Sequence, residues 1–274
     1  RIFRARSDRI RLLCRVQMRR KNKFITSPQH VSIENSDTLV TVVLLCENAG
    51  HRMKSYGPTP LAQIGKTTLL DLQISAIMRV FSNFELIICG GFEAEKVIKH
   101  IRDKYRRIQA RFVENQIHNN SNSCESLRLA LNNTLNDKIL ICNGEIILQD
   151  TLLKTIDIRE SFVIYDNDNP NFEVGITIDQ KGWPQNFCYG IDNKWAEIVF
   201  LSNPAIVEHM RKLVSNIEYK NKFVFEALNE IIKSKHRLSV VENVGDKILK
   251  LDNIKTYHEV RKTYARTNTR LLKS

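Results

Sequence analysis

The sequence LVTVVLLC at residues 39–46 decides the fold, because it is apolar at every position except Thr41. Such a run is typical of a strand in a sheet that is covered on both faces. A loop over 47–65 follows it, and apolar residues at helical spacing then predict a helix over 69–80. The regular part of the chain therefore opens with a buried strand followed by a crossover helix.

The same alternation continues along the first half of the chain. Strands are predicted at 84–89, 111–114 and 138–142, and helices at 94–105 and 123–135. Strands separated by helices of about a dozen residues form βαβ units, and right-handed crossovers place the helices on both faces. We predict an α/β fold with a Rossmann-like, mostly parallel sheet.

The second half changes character. Segments 161–165, 173–178 and 187–190 alternate like antiparallel strands and are separated by turns rich in Asn, Asp, Gly and Pro. Later strands are predicted at 196–201, 238–241 and 247–251, and helices at 205–216, 223–234 and 254–264. We expect an antiparallel extension of one domain over 38–265, followed by a short tail at 266–274.

The positive charge is concentrated at one end. The formal net charge is +12, but residues 1–24 hold ten basic residues against one acid, so the other 250 residues carry only +3. This distribution argues against a nucleic-acid-binding body. Residues 1–37 are predicted to be a basic arm, and a solvated tail, a polyanion-binding arm and an organelle presequence are its alternative interpretations. Met18 is an alternative start.

The cysteines predict the compartment. Six cysteines occur without a CxxC pair or a zinc-like spacing to histidine, so we expect buried, reduced thiols and a cytoplasmic protein. The sequence has no run of about 18 apolar residues, as a membrane-spanning helix needs. The N-terminus shows no apolar segment of a secretory signal. The sequence does not specify the oligomeric state.

Polar loops follow four of the predicted strands. In an open parallel sheet, ligands bind outside the carboxyl ends of the strands. That rule selects residues 47–52, 90–92, 115–122 and 143–145 as the candidate site.

Six short motifs occur along the chain in order. They are LCENAGHRM at 45–53, SYGPTPL with the following IGK at 55–66, GGFEAE at 90–95, a stretch from Val113 to Leu127, NGE at 143–145 and LDN at 251–253. In this order they resemble the sugar-phosphate and phosphocholine nucleotidyltransferases. The first is similar to the Leu-Ala-Ala-Gly-x-Gly-x-Arg-Met loop of that family. The resemblance covers about 38–265. It implies a GT-A-like fold and transfer of a nucleotide from an NTP to a phosphorylated small molecule, with release of pyrophosphate.

The resemblance also implies roles for individual residues. The nucleotide would lie against Glu47, Asn48, Ala49, Gly50, Gly90, Asn115, Asn122 and Ser126. Arg52, with Lys54 or Lys66, would neutralise the phosphates. Glu145 and Asp252 would hold Mg²⁺, a hard ion that prefers oxygen ligands. CTP is favoured because the segments around 38–46 and 55–58 resemble cytidylyltransferase-like members.

A second group of residues suggests the acceptor. Tyr189, Asp192 and Trp195 would line an acceptor pocket, and aromatic faces suit a choline-like cation. A packed aromatic corner under the antiparallel extension is the alternative interpretation.

Three positions depart from the family pattern and keep other functions open. Asn48 replaces a glycine, Thr59 replaces a lysine, and Glu145 replaces an aspartate. A catalytically inactive binding or assembly module, with an arm that contacts a polyanion, is therefore the second hypothesis. A GT-A glycosyltransferase is the third, because Asp166-Asn167-Asp168 has the spelling of its metal motif.

Overall fold

A mixed sheet organises the protein. The computed structural model describes residues 38–47, 53–154, 157–167, 169–245 and 248–271. The predicted basic arm, residues 1–37, lies outside them.

The parallel half of the sheet is built around strand β1 (Val40–Cys46), in which all seven residues are buried. Strands β4 (Phe84–Gly90) and β6 (Ile139–Asn143) run parallel to β1 on its two sides, and β5 (Ala110–Glu114) runs parallel to β4. The apolar run that predicts a central strand therefore does form one.

The antiparallel half begins at β11 (Lys194–Leu201), which pairs antiparallel with β6. The remaining strands of the sheet are β8 (Phe162–Asp166), β9 (Val174–Ile178), β10 (Pro184–Tyr189) and β12 (Ser239–Glu242). The strand order is β10-β9-β11-β6-β1-β4-β5, and β8 pairs with both β11 and β12. This confirms the predicted α/β fold with an antiparallel extension.

Helices cover both faces of the sheet. Helices α1 (Leu69–Val80), α2 (Ala94–Lys104) and the short α4 (Asp150–Leu153) contribute to the core on one face. Helices α3 (Ser123–Leu131), α5 (Pro204–Ser215) and α6 (Val224–Lys233) contribute to the core on the other face.

A smaller layer lies beside the main sheet. Two small antiparallel sheets form it: the hairpin of β2 (Gln63–Ile64) with β3 (Thr67–Thr68), and the pair of β7 (Ile146–Ile147) with the distant β13 (Leu249–Lys250). The last helix, α7 (Ile254–Leu271), joins this layer through Tyr257 and Val260. None of the helices in the described ranges is both long and apolar enough to cross a membrane.

Several boundaries differ from the sequence-based predictions, and three of the differences have structural consequences. Helix α3 ends at Leu131 rather than at 135, because the Thr134 hydroxyl donates to Glu85 and Leu135 projects into solvent with 98% of its surface exposed. Strand β13 is shorter than the predicted 247–251. Helix α7 continues through Leu271, so residues 266–271 are helical where a tail is predicted.

The described cysteines are free thiols. Cys46, Cys89, Cys124 and Cys142 are buried, and Cys188 is partly exposed. Burial raises the pKa of the Cys124 thiol to about 12, which keeps it protonated at neutral pH.

Candidate functional site

A cavity of about 240 Å³ opens where β1 and β6 end. Leu45 and Glu47 form its wall on the side of β1, and Asn143 and Glu145 form the wall that follows β6. This is the edge of the sheet at which the parallel-strand rule predicts a ligand site.

The turn after β6 brings two predicted metal ligands together. The Gly144 amide donates to the Leu45 carbonyl at 2.7 Å, and a side chain at residue 144 would lie 2.5 Å from the Cys46 sulfur. Only glycine fits there. The Leu251 amide donates to the Glu145 carbonyl at 2.8 Å, so Asp252 follows directly beside it. Glu145 and Asp252 both line the cavity, as the resemblance implies.

The cavity is strongly acidic. The carboxylates that line it are Glu47, Glu145, Glu173, Glu197 and Asp252, and Lys250 is the one cation among the lining residues that the structure describes. Burial, with a smaller contribution from Glu197, raises the pKa of Glu47 to about 7. Burial likewise raises the pKa of Glu145 to about 8, although Lys250 opposes this rise. The described wall therefore lacks the positive charge that would balance it.

Glu197 joins three strands at the cavity and was not predicted from the sequence. It lies in an irregular part of β11 between Trp195 and Val199, with a backbone φ of +57°. Lys250 donates to its Oε1 at 2.6 Å, and the Asn143 side-chain amide donates to its Oε2. Burial alone would lower the pKa of Lys250, but the surrounding carboxylates raise it. Glu197 is the only acid inside an otherwise mostly apolar strand, and this was the available signal.

Some of the residues predicted to bind the nucleotide line the cavity, and others lie behind it. Glu47 and Asn122 line the cavity. Asn115 and Ser126 are completely buried behind it, where the side-chain amide of Asn115 donates to the Ser126 hydroxyl at 3.0 Å. Gly90 ends β4, and its carbonyl accepts a hydrogen bond from the backbone amide of Asn115 at 2.8 Å. These last three positions shape the site without lining it.

An aromatic wall closes another part of the cavity. Tyr189, half exposed, meets Phe225 edge-on at 5.5 Å between ring centroids, and Phe225 stacks on Phe223 at 5.9 Å. Trp195 lines the cavity with 6% of its surface exposed, and its indole N–H donates to the Ile198 carbonyl at 3.2 Å. Sequence reasoning missed Phe223 and Phe225.

One predicted acceptor residue lies elsewhere. Asp192 is exposed and does not line the cavity. It sits in the turn before β11, where its backbone carbonyl approaches Gly175. The turn composition that made this segment distinctive serves the chain reversal rather than the pocket wall.

The predicted phosphate-binding cations are not all placed. Lys66 is exposed in the turn between β2 and β3 and does not line the cavity. Lys54 begins a short 3-10 helix, Lys54–Tyr56, and its side chain is outside the description. Asn48, Ala49, Gly50 and Arg52 also lie outside the described residues, so their roles stay predictions.

The residues present fit a magnesium ion. Glu145 and Asp252 both offer carboxylate oxygens to the cavity. Within the described ranges no three metal-binding side chains form a complete cage. Magnesium commonly takes one or two carboxylates and completes its shell with water and substrate phosphates, so this donor set suits it.

The Asp-Asn-Asp segment has a structural use. Asp166 is buried, and its Oδ2 accepts hydrogen bonds from the Asn169 side chain at 2.6 Å and from the Ile248 amide at 3.0 Å. This carboxylate holds the loop after β8, and Asp168 lies outside the described residues. The structure therefore gives no support to a glycosyltransferase metal site here.

Sequence comparison finds a distant relative. No protein-family model matches the chain. The bifunctional protein GlmU of Methanococcus maripaludis is 25% identical over 199 residues, which cover 70% of this chain and 43% of that protein. The chain thus spans less than half the length of the curated relative it matches.

Comparison with solved structures identifies the fold. The CTP:phosphocholine cytidylyltransferase LicC of Streptococcus pneumoniae superposes with a TM-score of 0.67 at 18% identity, over 82% of this chain and 98% of LicC. The inositol-1-phosphate CTP transferase of T. maritima superposes with a TM-score of 0.66 at 13% identity, over 82% of this chain and 95% of that one. The resemblance predicted from the motifs is therefore confirmed, and this chain has the fold of the sugar-phosphate and phosphocholine nucleotidyltransferases.

Proposed function

We propose that this protein is a Mg²⁺-dependent nucleotidyltransferase that transfers a nucleotide from an NTP, CTP in the first place, to a phosphorylated small molecule. The observation that carries the proposal is the meeting of Glu145 and Asp252 in one cavity at the carboxyl end of the parallel strands. Those two positions are the ones to which the motif order assigns the metal.

The reaction needs positive charge at a site whose described wall is negative. An oxygen of the acceptor phosphate forms a bond to the α-phosphorus of the NTP, while the bond from that phosphorus to the bridging oxygen breaks and pyrophosphate leaves. Bound magnesium would screen the phosphate charge and orient the triphosphate. Glu145 and Asp252 would hold it, and Lys250, already inside the cavity, would add a fixed positive charge.

The aromatic wall favours an acceptor with a cationic group. Tyr189, Phe223 and Phe225 offer ring faces, and Glu173 lines the same cavity. A cation gains from both features, whereas a neutral sugar gains nothing from the charge of the carboxylate. Phosphocholine, the substrate named for the LicC enzyme, therefore fits the described wall better than a neutral sugar phosphate does.

A thermal-shift panel tests the nucleotide half of the proposal. The full chain is melted with CTP, UTP, ATP and GTP, with and without Mg²⁺, because a ligand that binds only the folded state raises the melting temperature. We expect a magnesium-dependent shift that disappears in Asp252→Asn. Asp192→Asn is the matched control, because Asp192 is exposed and outside the cavity lining.

Pyrophosphate release tests the chemistry. With the preferred NTP and Mg²⁺, we expect release to require an acceptor, and phosphocholine to support it better than glucose 1-phosphate. Tyr189→Ala should raise the KM for phosphocholine more than it lowers kcat. Release at equal rates with both acceptors would reject the cationic acceptor.

An inactive binding module is the alternative function, and one observation favours it. Thr59, which stands where the family has a lysine, is buried and its hydroxyl has no hydrogen-bond partner. In that case the basic arm, residues 1–37, would contact a polyanion. No thermal shift with any NTP, at concentrations far above ordinary affinities, would select this alternative.

A further inference from the structure

Glu47 is predicted to lie against the nucleotide, but the transfer step itself gives its carboxyl group no role. It follows β1 at the position where the resembling loop of the family has alanine. Only 3% of its surface is exposed, it lines the cavity, and its Oε2 has no hydrogen-bond partner. Because an unpaired buried polar atom is costly, such a group calls for a ligand that completes it.

The carboxyl group is held in place from behind. The Ser126 side chain lowers the pKa of the Glu47 carboxyl, and the side-chain amide of Asn115 donates to the Ser126 hydroxyl at 3.0 Å. The Glu47 carbonyl accepts from the Phe92 amide at 3.2 Å, which anchors the backbone. The free oxygen is therefore a fixed acceptor rather than a flexible surface group.

The chemistry of the free oxygen selects the kind of ligand atom. A carboxyl oxygen needs an N–H or O–H donor, and a quaternary ammonium group has neither. Apolar side chains of Leu45 and Ile141 line the same cavity, so a flat ring can pack beside the carboxyl. A nucleotide base with an exocyclic amine offers both the ring and the donor.

We propose that Glu47 accepts a hydrogen bond from the exocyclic amine of the NTP base and thereby selects cytosine over uracil. This inference rests on the proposed nucleotidyltransferase function. Cytosine presents an amine at its position 4, which acidic side chains recognise, whereas uracil presents a carbonyl oxygen there. Two acceptor oxygens would then face each other, so UTP is rejected although its ring has nearly the same size.

The test compares CTP with UTP in matched variants. Dissociation constants are measured by calorimetry, with Mg²⁺ present, for the wild type, Glu47→Gln and Asp192→Asn. We expect the wild type to prefer CTP by about tenfold to a hundredfold. The glutamine at 47 can turn its amide and donate to the uracil oxygen, so this variant should bind CTP and UTP about equally. Asp192→Asn changes an exposed carboxylate outside the cavity lining and should keep the wild-type ratio.

A ligand-side measurement makes the test independent of folding. The triphosphate of 2-pyrimidinone riboside lacks only the amine, and it should bind the wild type at least about tenfold more weakly than CTP does. Equal binding of this analogue and CTP would overturn the inference, as would an unchanged CTP/UTP ratio in a folded Glu47→Gln. A preference for GTP over CTP would also overturn it. If the wild type binds no NTP at all, the proposed function itself has failed.

Discussion

Two buried carboxyl groups of this protein have opposite surroundings. Asp71 lies in the first turn of α1 and Glu145 lies in the cavity, and both are less than 10% exposed. The donors to the Asp71 carboxylate are Thr67 Oγ1, the Thr68 amide, His100 Nε2, Lys104 Nζ and Tyr105 Oη, at 2.7–3.0 Å. Burial would raise the pKa of Asp71, but these bonds hold it well below its usual range.

Glu145 lacks such a set of donors within the described chain. Burial raises its pKa to about 8, and neighbouring acids add to the rise. The comparison separates two uses of a buried acid. The charge of Asp71 is balanced by its hydrogen-bond donors, and the residue stabilises the fold. Glu145 and Glu47 lack such partners, and a bound cation or a ligand with a hydrogen-bond donor would supply them.

The largest effect is expected at Asp71. Asp71→Ala should lower the free energy of unfolding by about 3 kcal/mol at pH 7, because it removes a helix cap and leaves the partners of a buried carboxylate unpaired. The folded pKa lies below the unfolded value of about 4, so this stabilisation is present above about pH 4 and is lost as the pH falls.

Urea unfolding at pH 7 and pH 3 measures the loss of stability and its dependence on pH. Asp192→Ala, at an exposed position, is the control. The nucleotide-dependent thermal shift should survive in Asp71→Ala. If the free energy of unfolding fell by less than about 1 kcal/mol, Asp71 would not be an important contributor to the stability of the fold.

Gly144→Ala should have the second-largest effect, about 2 kcal/mol of stability. The new Cβ would lie 2.5 Å from the Cys46 sulfur and 2.8 Å from the Leu45 carbonyl, so the turn that carries Glu145 must move. The magnesium-dependent nucleotide shift should fall with it. Gly245→Ala is the matched control, because its nearest neighbour would be 3.8 Å away, and an equal loss there would reject the steric explanation.

Glu145→Gln should be more stable than the wild type at pH 9 in metal-free solution, because the wild type must ionise a buried carboxyl group there. The folded pKa of about 8 exceeds the unfolded value of about 4.3, so the wild type loses stability as the pH rises between these values. At pH 4 the two proteins should match. Guanidinium unfolding across this range checks the sign, and a parallel pH dependence in both proteins would show that Glu145 is not the titrating group.

Lys104→Ala should have the smallest effect, about 0.5 kcal/mol. Lys104 reaches Asp71 at 2.7 Å, but 48% of its side chain is exposed, so water and salt screen the pair. The loss should shrink further in 1 M NaCl, and a loss near that of Asp71→Ala would show that the ion pair, rather than the buried hydrogen bonds, stabilises the helix start.

The sequence predicted the parallel half of the molecule better than the antiparallel half. Residues such as Val43 and Ile87 pair within apolar runs whose burial follows from the pattern alone. The motif order paired Glu145 with Asp252, and the structure places both in the lining of one cavity although they are far apart in the chain. Glu197 was missed because its direction depends on an irregularity in β11 that no local pattern encodes.

Other differences have local causes. Asp192 was assigned to the acceptor because a polar turn residue looks the same whether it faces a pocket or the solvent. Leu135 extended an apparent helix because an exposed leucine is indistinguishable from a buried one in sequence. Phe223 and Phe225 reach the cavity through the position of α6, which is a tertiary property.

The direction of β11 in the sheet determines how substitutions can reshape this cavity. Because β11 runs antiparallel to β6, its beginning rather than its end meets the carboxyl ends of β1 and β6. One wall therefore comes from residues 45–145 and the other mostly from residues 171–252, and few sequence neighbours are shared between them. Substitutions in the second wall can reshape one side of the cavity while Glu47 and Glu145 keep their places. Because the two walls come from different segments of the chain, substitutions can accumulate in one wall while the residues of the other stay the same.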